Sequence, residues 1–156
     1  MNIPNASEIM PKLYMGGTQD DELVGSSKEY DSQKPKLDFV LTTYTKARLY
    51  HPEVQEFRYC FEDDDLSDVD TESLIAIVNL YHSLWANNKR ILVRCQAGMN
   101  RSGLLTGLIL VKSGFNAVQA IELIKEKRGQ KALVNRNFIK YIHEIHRSQH
   151  GENVQP

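Results

Sequence analysis

One stretch limits this chain more than any other: Cys95-Gln96-Ala97-Gly98-Met99-Asn100-Arg101-Ser102-Gly103. Before it stands the apolar, strand-like run Ile91-Leu92-Val93. After it comes Leu104-Leu105-Thr106-Gly107-Leu108-Ile109-Leu110-Val111, which reads as a buried helix. A strand, a tight glycine-bearing loop and a helix N-terminus make an anion site, because free backbone N–H groups and the positive end of the helix dipole point at the same place. Gly98 can turn the loop without a Cβ collision. Cys95 sits where that field would stabilise a thiolate. Arg101, six positions on, offers a planar two-pronged donor suited to phosphate oxygens.

A thiolate below a held phosphoryl group can attack phosphorus, and water can then hydrolyse the phosphocysteine. Charge builds on the equatorial oxygens, so fixed donors from Gln96, Ala97, Gly98, Met99, Asn100 and Arg101 would do most of the catalysis. Ser102 can donate to the Cys95 sulfur and help it leave. The loop lacks the Gly-Lys-Ser/Thr of a nucleotide-binding loop, which makes that reading a poor alternative.

Cys-x5-Arg-Ser after a buried strand resembles the signature of cysteine-dependent protein tyrosine phosphatases. Cys-Gln-Ala-Gly-x-Asn-Arg-Ser-Gly is similar to the dual-specificity branch in particular. The likeness runs from about Leu13, where a Leu-Tyr-x-Gly string opens, to about Ile145. It implies Cys95 as nucleophile, Arg101 as phosphate clamp and Ser102 as thiolate partner, with no cofactor and no metal. It also implies a general acid some thirty residues before the nucleophile. Asp63, 32 residues ahead of Cys95, fits best. Asp64 is next, with Asp65 and Asp68 behind it. Such a carboxyl protonates the leaving oxygen and, once ionised, activates water.

Two positions bear on loop support. The family usually has a bracing His before the nucleophile, and here it is Arg94, which could brace with a different donor or mark a weakened enzyme. Asn135, after Lys127-Arg128-Gly129, resembles the family Asn that braces the phosphate loop. It can equally cap the last helix.

The chain has 156 residues, a net charge of −1 and 41% apolar residues, which fits a single soluble domain with no general pull toward nucleic acid or membrane. We read residues 1–147 as that domain and 148–156 as a polar tail. Two cysteines, Cys60 and Cys95, are no disulfide framework, and a reactive thiol suits a reducing, cytoplasmic setting. Cys60 reads as a small buried hydrophobe, with a protective disulfide to Cys95 as the alternative. The protein is expected to be a monomer.

Alternation of strands and helices predicts an α/β fold with a central, mostly parallel sheet of four to five strands flanked by helices, and a site at the strand C-terminal ends. Ile9–Gly17 reads as one edge strand, Thr18–Lys36 as a polar loop bordering the cleft or merely solvated, Leu37–Thr43 and Glu56–Phe61 as neighbouring strands. Asp70–Asn87, Asn116–Arg128 and Asn135–Arg147 read as helices, with Val118, Ile121 and Ile124 lining the inner face of the second. Lys46 and Arg48 could meet an anionic substrate or simply be solvated. His143, His146 and His150 fall near one helix face but form no closed ligand set.

The leading expectation is hydrolysis of phosphotyrosine, with phosphoserine and phosphothreonine as further candidates, in a phosphoprotein or phosphopeptide partner. RNA 5′-phosphates or phosphoinositides keep the mechanism and change the substrate. The loop's lack of lysine and the acidic stretch Glu62–Asp70 argue against those polyanions. Lys125, Lys127, Arg128, Lys131, Arg136, Lys140 and Arg147 keep them open. A third reading, supported by Arg94 alone, is an inactive phosphoprotein-binding domain.

Overall fold

A computed structural model describes residues 3–18 and 37–150, so the loop expected at Thr18–Lys36 lies, beyond Thr18, outside the described residues. Five strands form one sheet: β1 (Ala6–Met10), β2 (Leu13–Gly17), β3 (Phe39–Thr42), β4 (Gln55–Arg58) and β5 (Ile91–Cys95). Their order is β1-β2-β5-β3-β4, which puts β5 at the centre. Only the β1–β2 pairing is antiparallel. Every β5 residue is buried, which is why Ile91-Leu92-Val93 runs apolar without alternating; the one charged member, Arg94, is buried with partners of its own. Gly17 lies opposite Cys95, and Gly16 and Thr42 lie opposite Arg94. β2, β3 and β5 therefore end together, and everything that follows Cys95 emerges at their shared C-terminal edge.

Four helices are described: α1 (Thr71–Ala86), α2 (Arg101–Lys112), α3 (Ala117–Arg128) and α4 (Arg136–Gln149). All four contribute to one core with Leu13, Met15, Leu41, Ile91 and Val93 of the sheet. α2 is its axis, with every residue from Ser102 to Val111 buried. Truncating a side chain there, such as Leu104, should cost about 2–5 kcal/mol. The opposite sheet face holds a smaller cluster of Ile3, Tyr14, Leu37, Val40, Tyr50 and Leu92. Successive β5 residues alternate between these two environments, as the pleat requires.

Local sequence explains the helix ends. The Asp70 carboxylate accepts from Glu72 and Ser73 N–H at the start of α1. These bonds hold its carboxyl below the usual range, with Ser73's hydroxyl the strongest contributor. Asn116 and Gln119 form the reciprocal capping box of α3, and Gly129 at φ 136° stops it.

The structure corrects three expectations. Ile9–Gly17 is not one edge strand but the end of β1, a turn and β2. The turn uses Pro11 with Lys12 at φ 71°, so no glycine or asparagine announces it. Val118 is 53% exposed, and Ala117 and Ala120 take the inner positions of α3 beside Ile121 and Ile124. α4 runs to Gln149, past the expected domain end, and residues 151–156 of the expected tail lie outside the described residues.

Candidate active site

Between Cys95 and α2 the chain forms a loop whose carbonyl oxygens all have donors behind it. Thr18 N–H reaches Cys95 O and Gln96 O at 3.0 Å each. Arg128 Nη2 reaches Ala97 O at 3.3 Å and its Nε reaches Gly98 O at 2.9 Å. Leu133 N–H donates to Met99 O at 3.0 Å, and Leu104 N–H to Asn100 O at 2.8 Å. A trans peptide points its N–H opposite to its C=O. Carbonyls turned out from 95 to 99 therefore turn the N–H groups of 96 to 100 inward. Gly98 N–H is one of these and donates to Cys95 Sγ at 3.3 Å. The hydroxyl of Ser102 lies 3.3 Å from the same sulfur. α2 begins here without a side-chain cap, since Asn100 spends its side chain elsewhere. Its first-turn donors thus also serve the loop interior.

Glycine is required where the loop touches the sheet. Gly98 stands at φ 73°, and a Cβ there would strike Gly16, Gly17 and the Arg128 guanidinium. A Cβ on Gly17 would meet Gln96 O at 2.5 Å. The loop and the end of β2 pack backbone to backbone, leaving no room for side chains between them.

Arg101 leaves the first turn of α2 and lies over the Tyr44 ring, 5.4 Å from its centroid. Its Nη1 makes a long 3.4 Å contact with Phe61 O, and its Nε is buried with no hydrogen-bond partner among the described residues. A buried, unmatched guanidinium N–H is costly unless something anionic meets it. The cleft it enters measures about 730 Å³ and is lined by Tyr44, Lys46, Tyr59, Phe61 and Gln96, with Glu62, Asp64, Asp65, Asp68 and Asp70 along one wall.

Asp63 stands at the edge of this arrangement. Its Oδ2 accepts from Asn100 Nδ2 at 3.0 Å and its Oδ1 from Asn135 Nδ2 at 2.8 Å. Asn100 Oδ1 in turn accepts the N–H groups of Val134 and Asn135 at 2.9 and 3.0 Å. Two asparagines thus tie the acidic loop, the phosphate-type loop and the start of α4 together. Asp63 itself is not among the cleft-lining residues, whereas Asp64 is.

The family profile described as "Dual specificity phosphatase, catalytic domain" matches residues 24–148. The chain belongs to this family. Solved structures with the same fold include human DUSP28, at 16% identity and TM-score 0.75, covering 96% of this chain and 97% of that one. PTPMT1 in complex with PI(5)P matches at 16% identity and TM-score 0.72, covering 96% and 99%. A human tyrosine phosphatase-like serine/threonine/tyrosine-interacting protein matches at 13% and TM-score 0.71, covering 92% and 97%. No curated protein matches the chain by sequence. The domain is a cysteine-based phosphatase domain, and none of its described helices is long and apolar enough to cross a membrane.

Within this dual specificity phosphatase domain, Cys95, Gln96, Ala97, Gly98, Met99, Asn100, Arg101 and Ser102 all come together in or beside the loop, with Asp63 at its rim. The two support residues take different partners. Arg94 is fully buried on the sheet face opposite Cys95. Its Nε donates to Thr42 Oγ1 at 3.0 Å and its Nη2 to Arg48 O at 2.6 Å. It pairs with Glu56 at 3.6 Å and lies over Tyr50, 5.3 Å from the ring centroid. Asn135 reaches the loop through its backbone N–H to Asn100, while its side chain caps α4 and braces Asp63 and Asp64 O.

Cys60 lines the cleft rather than the core, with its sulfur 3.9 Å from Thr42 O, and partial burial pushes its thiol pKa up. Both cysteines are free thiols. Lys46 lines the cleft wall. Sequence reasoning missed Thr18, Tyr44 and Leu133. Leu133 acts through its backbone N–H, and Thr18 through its own with a long 3.4 Å bond from its hydroxyl to Gln96 O; backbone donors leave no side-chain pattern.

Proposed function

We propose that this domain hydrolyses phosphotyrosine in proteins, with phosphoserine and phosphothreonine as further substrates, through a phosphocysteine on Cys95. The observation that carries the reading is the loop's carbonyl arrangement, which turns its N–H groups inward, with that of Gly98 on the Cys95 sulfur. Those donors and Arg101 hold the equatorial oxygens of the phosphoryl group, where charge develops. The sulfur attacks phosphorus as the leaving oxygen departs in line. Asp63 protonates that oxygen, turning one carboxyl oxygen away from its amide donor to do so. Its carboxylate then takes a proton from water as water attacks the phosphocysteine, and Ser102 donates to the departing thiolate.

The lining of the cleft supports that substrate class. Tyr44, Tyr59 and Phe61 suit an aromatic ring above the phosphate. The wall of Glu62, Asp64, Asp65, Asp68 and Asp70 repels a polyanion such as RNA or a multiply phosphorylated inositol. Lys125, among the cations that kept such substrates open, donates to Gln130 O and Ala132 O instead. Arg128 is spent on the loop itself.

The test is metal-free turnover of phosphotyrosine peptide, phosphothreonine peptide, a phosphoinositide and RNA triphosphate side by side. The reading expects phosphotyrosine peptide to give the highest kcat/KM. A phosphoinositide or RNA in first place overturns the substrate class, and phosphopeptide binding without turnover of any monoester makes the domain a binding module.

A further inference from the structure

We propose that Arg128 is the positioning residue that locks the phosphate loop in its binding-competent form, an inference that rests on the phosphatase reading above. Arg128 lies in the last turn of α3, remote in sequence from the loop and partly buried. Its guanidinium makes two bonds to consecutive carbonyls of the loop, Nη2 to Ala97 O at 3.3 Å and Nε to Gly98 O at 2.9 Å. Away from the loop, Nη2 also meets Asn5 Oδ1 at 3.0 Å and Nη1 approaches Ser7 Oγ at 3.4 Å. One planar fork therefore bridges the loop and the first strand.

The identity of the two peptides matters more than the count of bonds. The peptide whose carbonyl is Ala97 O carries the Gly98 N–H that donates to Cys95 Sγ. The next peptide, whose carbonyl is Gly98 O, carries the Met99 N–H. Gly98 between them sits at φ 73°, a region that glycine enters and leaves with little strain. A flip of either peptide would put a carbonyl oxygen where the thiolate and the phosphoryl oxygens need donors. Arg128 holds both against that flip.

Charge adds to geometry. Burial pushes the Arg128 pKa down, and the nearby Cys95 pulls it back up. Lysine cannot replace this fork, because a point donor on a flexible stem cannot hold two carbonyls in a fixed plane. Position 94 is committed to Glu56, Thr42 and Arg48 on the other sheet face. The brace comes from α3.

The experiment compares wild type, R128M and R128K on p-nitrophenyl phosphate and on orthovanadate binding, with melting temperature as a fold control. For R128M we expect kcat/KM to fall about 10- to 100-fold and orthovanadate to bind weaker by a similar factor. R128K should keep the fold and charge and recover only part of either loss. Guanidinium ion added to R128M should restore part of its turnover. Orthovanadate affinity of R128M or R128K both within about twofold of wild type overturns the proposal, and so does a loss confined to melting temperature. Failure of the phosphatase reading looks different: wild type would bind orthovanadate yet turn over no aryl phosphate, and the Arg128 variants would still differ in binding.

Discussion

The two loops that face each other across the cleft are held by different means. Residues 95–100 have each carbonyl fixed from behind by donors drawn from Thr18, Arg128, Leu133 and the α2 backbone. Residues 62–70 carry exposed carboxylates, and the acid candidate is tied down by two side-chain amides, Asn100 and Asn135. The difference suits the chemistry. Donors that stabilise developing charge must not reorganise during the reaction. A group that gives up a proton and then takes one from water has to exchange partners within a single turnover. One loop has every carbonyl held, by backbone N–H groups and the Arg128 fork; in the other, the acid candidate is held only through two side-chain amides.

Substitutions can break this comparison. The largest effect expected here is from Asp63→Ala. It should slow hydrolysis of phosphotyrosine peptide, a poor leaving group, by about 10²- to 10⁴-fold and affect p-nitrophenyl phosphate less. A proton donor in the first step gives the kcat/KM profile an alkaline limb, which Asp63→Ala should erase. Asp64→Ala giving that pattern alone would move the acid one position. Next comes Gly98→Ala, which forces a Cβ into Gly16 and Gly17 at a positive φ. It should cost about 2–3 kcal/mol in denaturant unfolding and at least ~10-fold in turnover.

Asn135→Ala sharpens the comparison from the acid's side. Releasing one amide from Asp63 should lower kcat about 3- to 10-fold while orthovanadate binding stays near wild type, because the loop carbonyls keep their donors. A loss in anion binding as large as that of kcat would show that the two loops are not separable. The smallest effect on turnover should come from Arg94→His, which installs the residue that the family usually has. Glu56 would lose its fully buried partner but keep Arg58 at 3.1 Å, the Thr42 hydroxyl and the Tyr50 N–H, and stability should drop by about 1–3 kcal/mol in thermal or denaturant unfolding. Turnover of the folded fraction should stay within about threefold, since loop support comes from elsewhere.

These outcomes bear on what could be read from sequence. The central strand, the reactive loop and α2 were legible because one short segment carries both the chemistry and the apolar runs that bury it. Asp70 and the Asn116–Gln119 pair were legible because capping needs particular side chains at fixed spacing. The β1–β2 hairpin was not, since Lys12 adopts a positive φ without the residue types that announce one. Val118 faces outward because small residues, Ala117 and Ala120, fill the tight approach of α3, and hydropathy alone ranks valine above them. The direction of Arg94 was readable in principle from strand alternation, which sets it opposite Cys95. Its partners, spread from Thr42 to Glu56, were not. The backbone donors that aim the loop leave no trace in side-chain identity.

The account stands or falls on a covalent bond to one sulfur. The direct measurement is rapid acid quench of Asp63→Ala during turnover of p-nitrophenyl phosphate, followed by peptide mass spectrometry. In that variant water attack is slow, and a phosphoryl adduct should accumulate on the peptide carrying Cys95 and be absent from the one carrying Cys60. Phosphate released with no adduct on Cys95, while turnover persists in Cys95→Ser, would contradict the account.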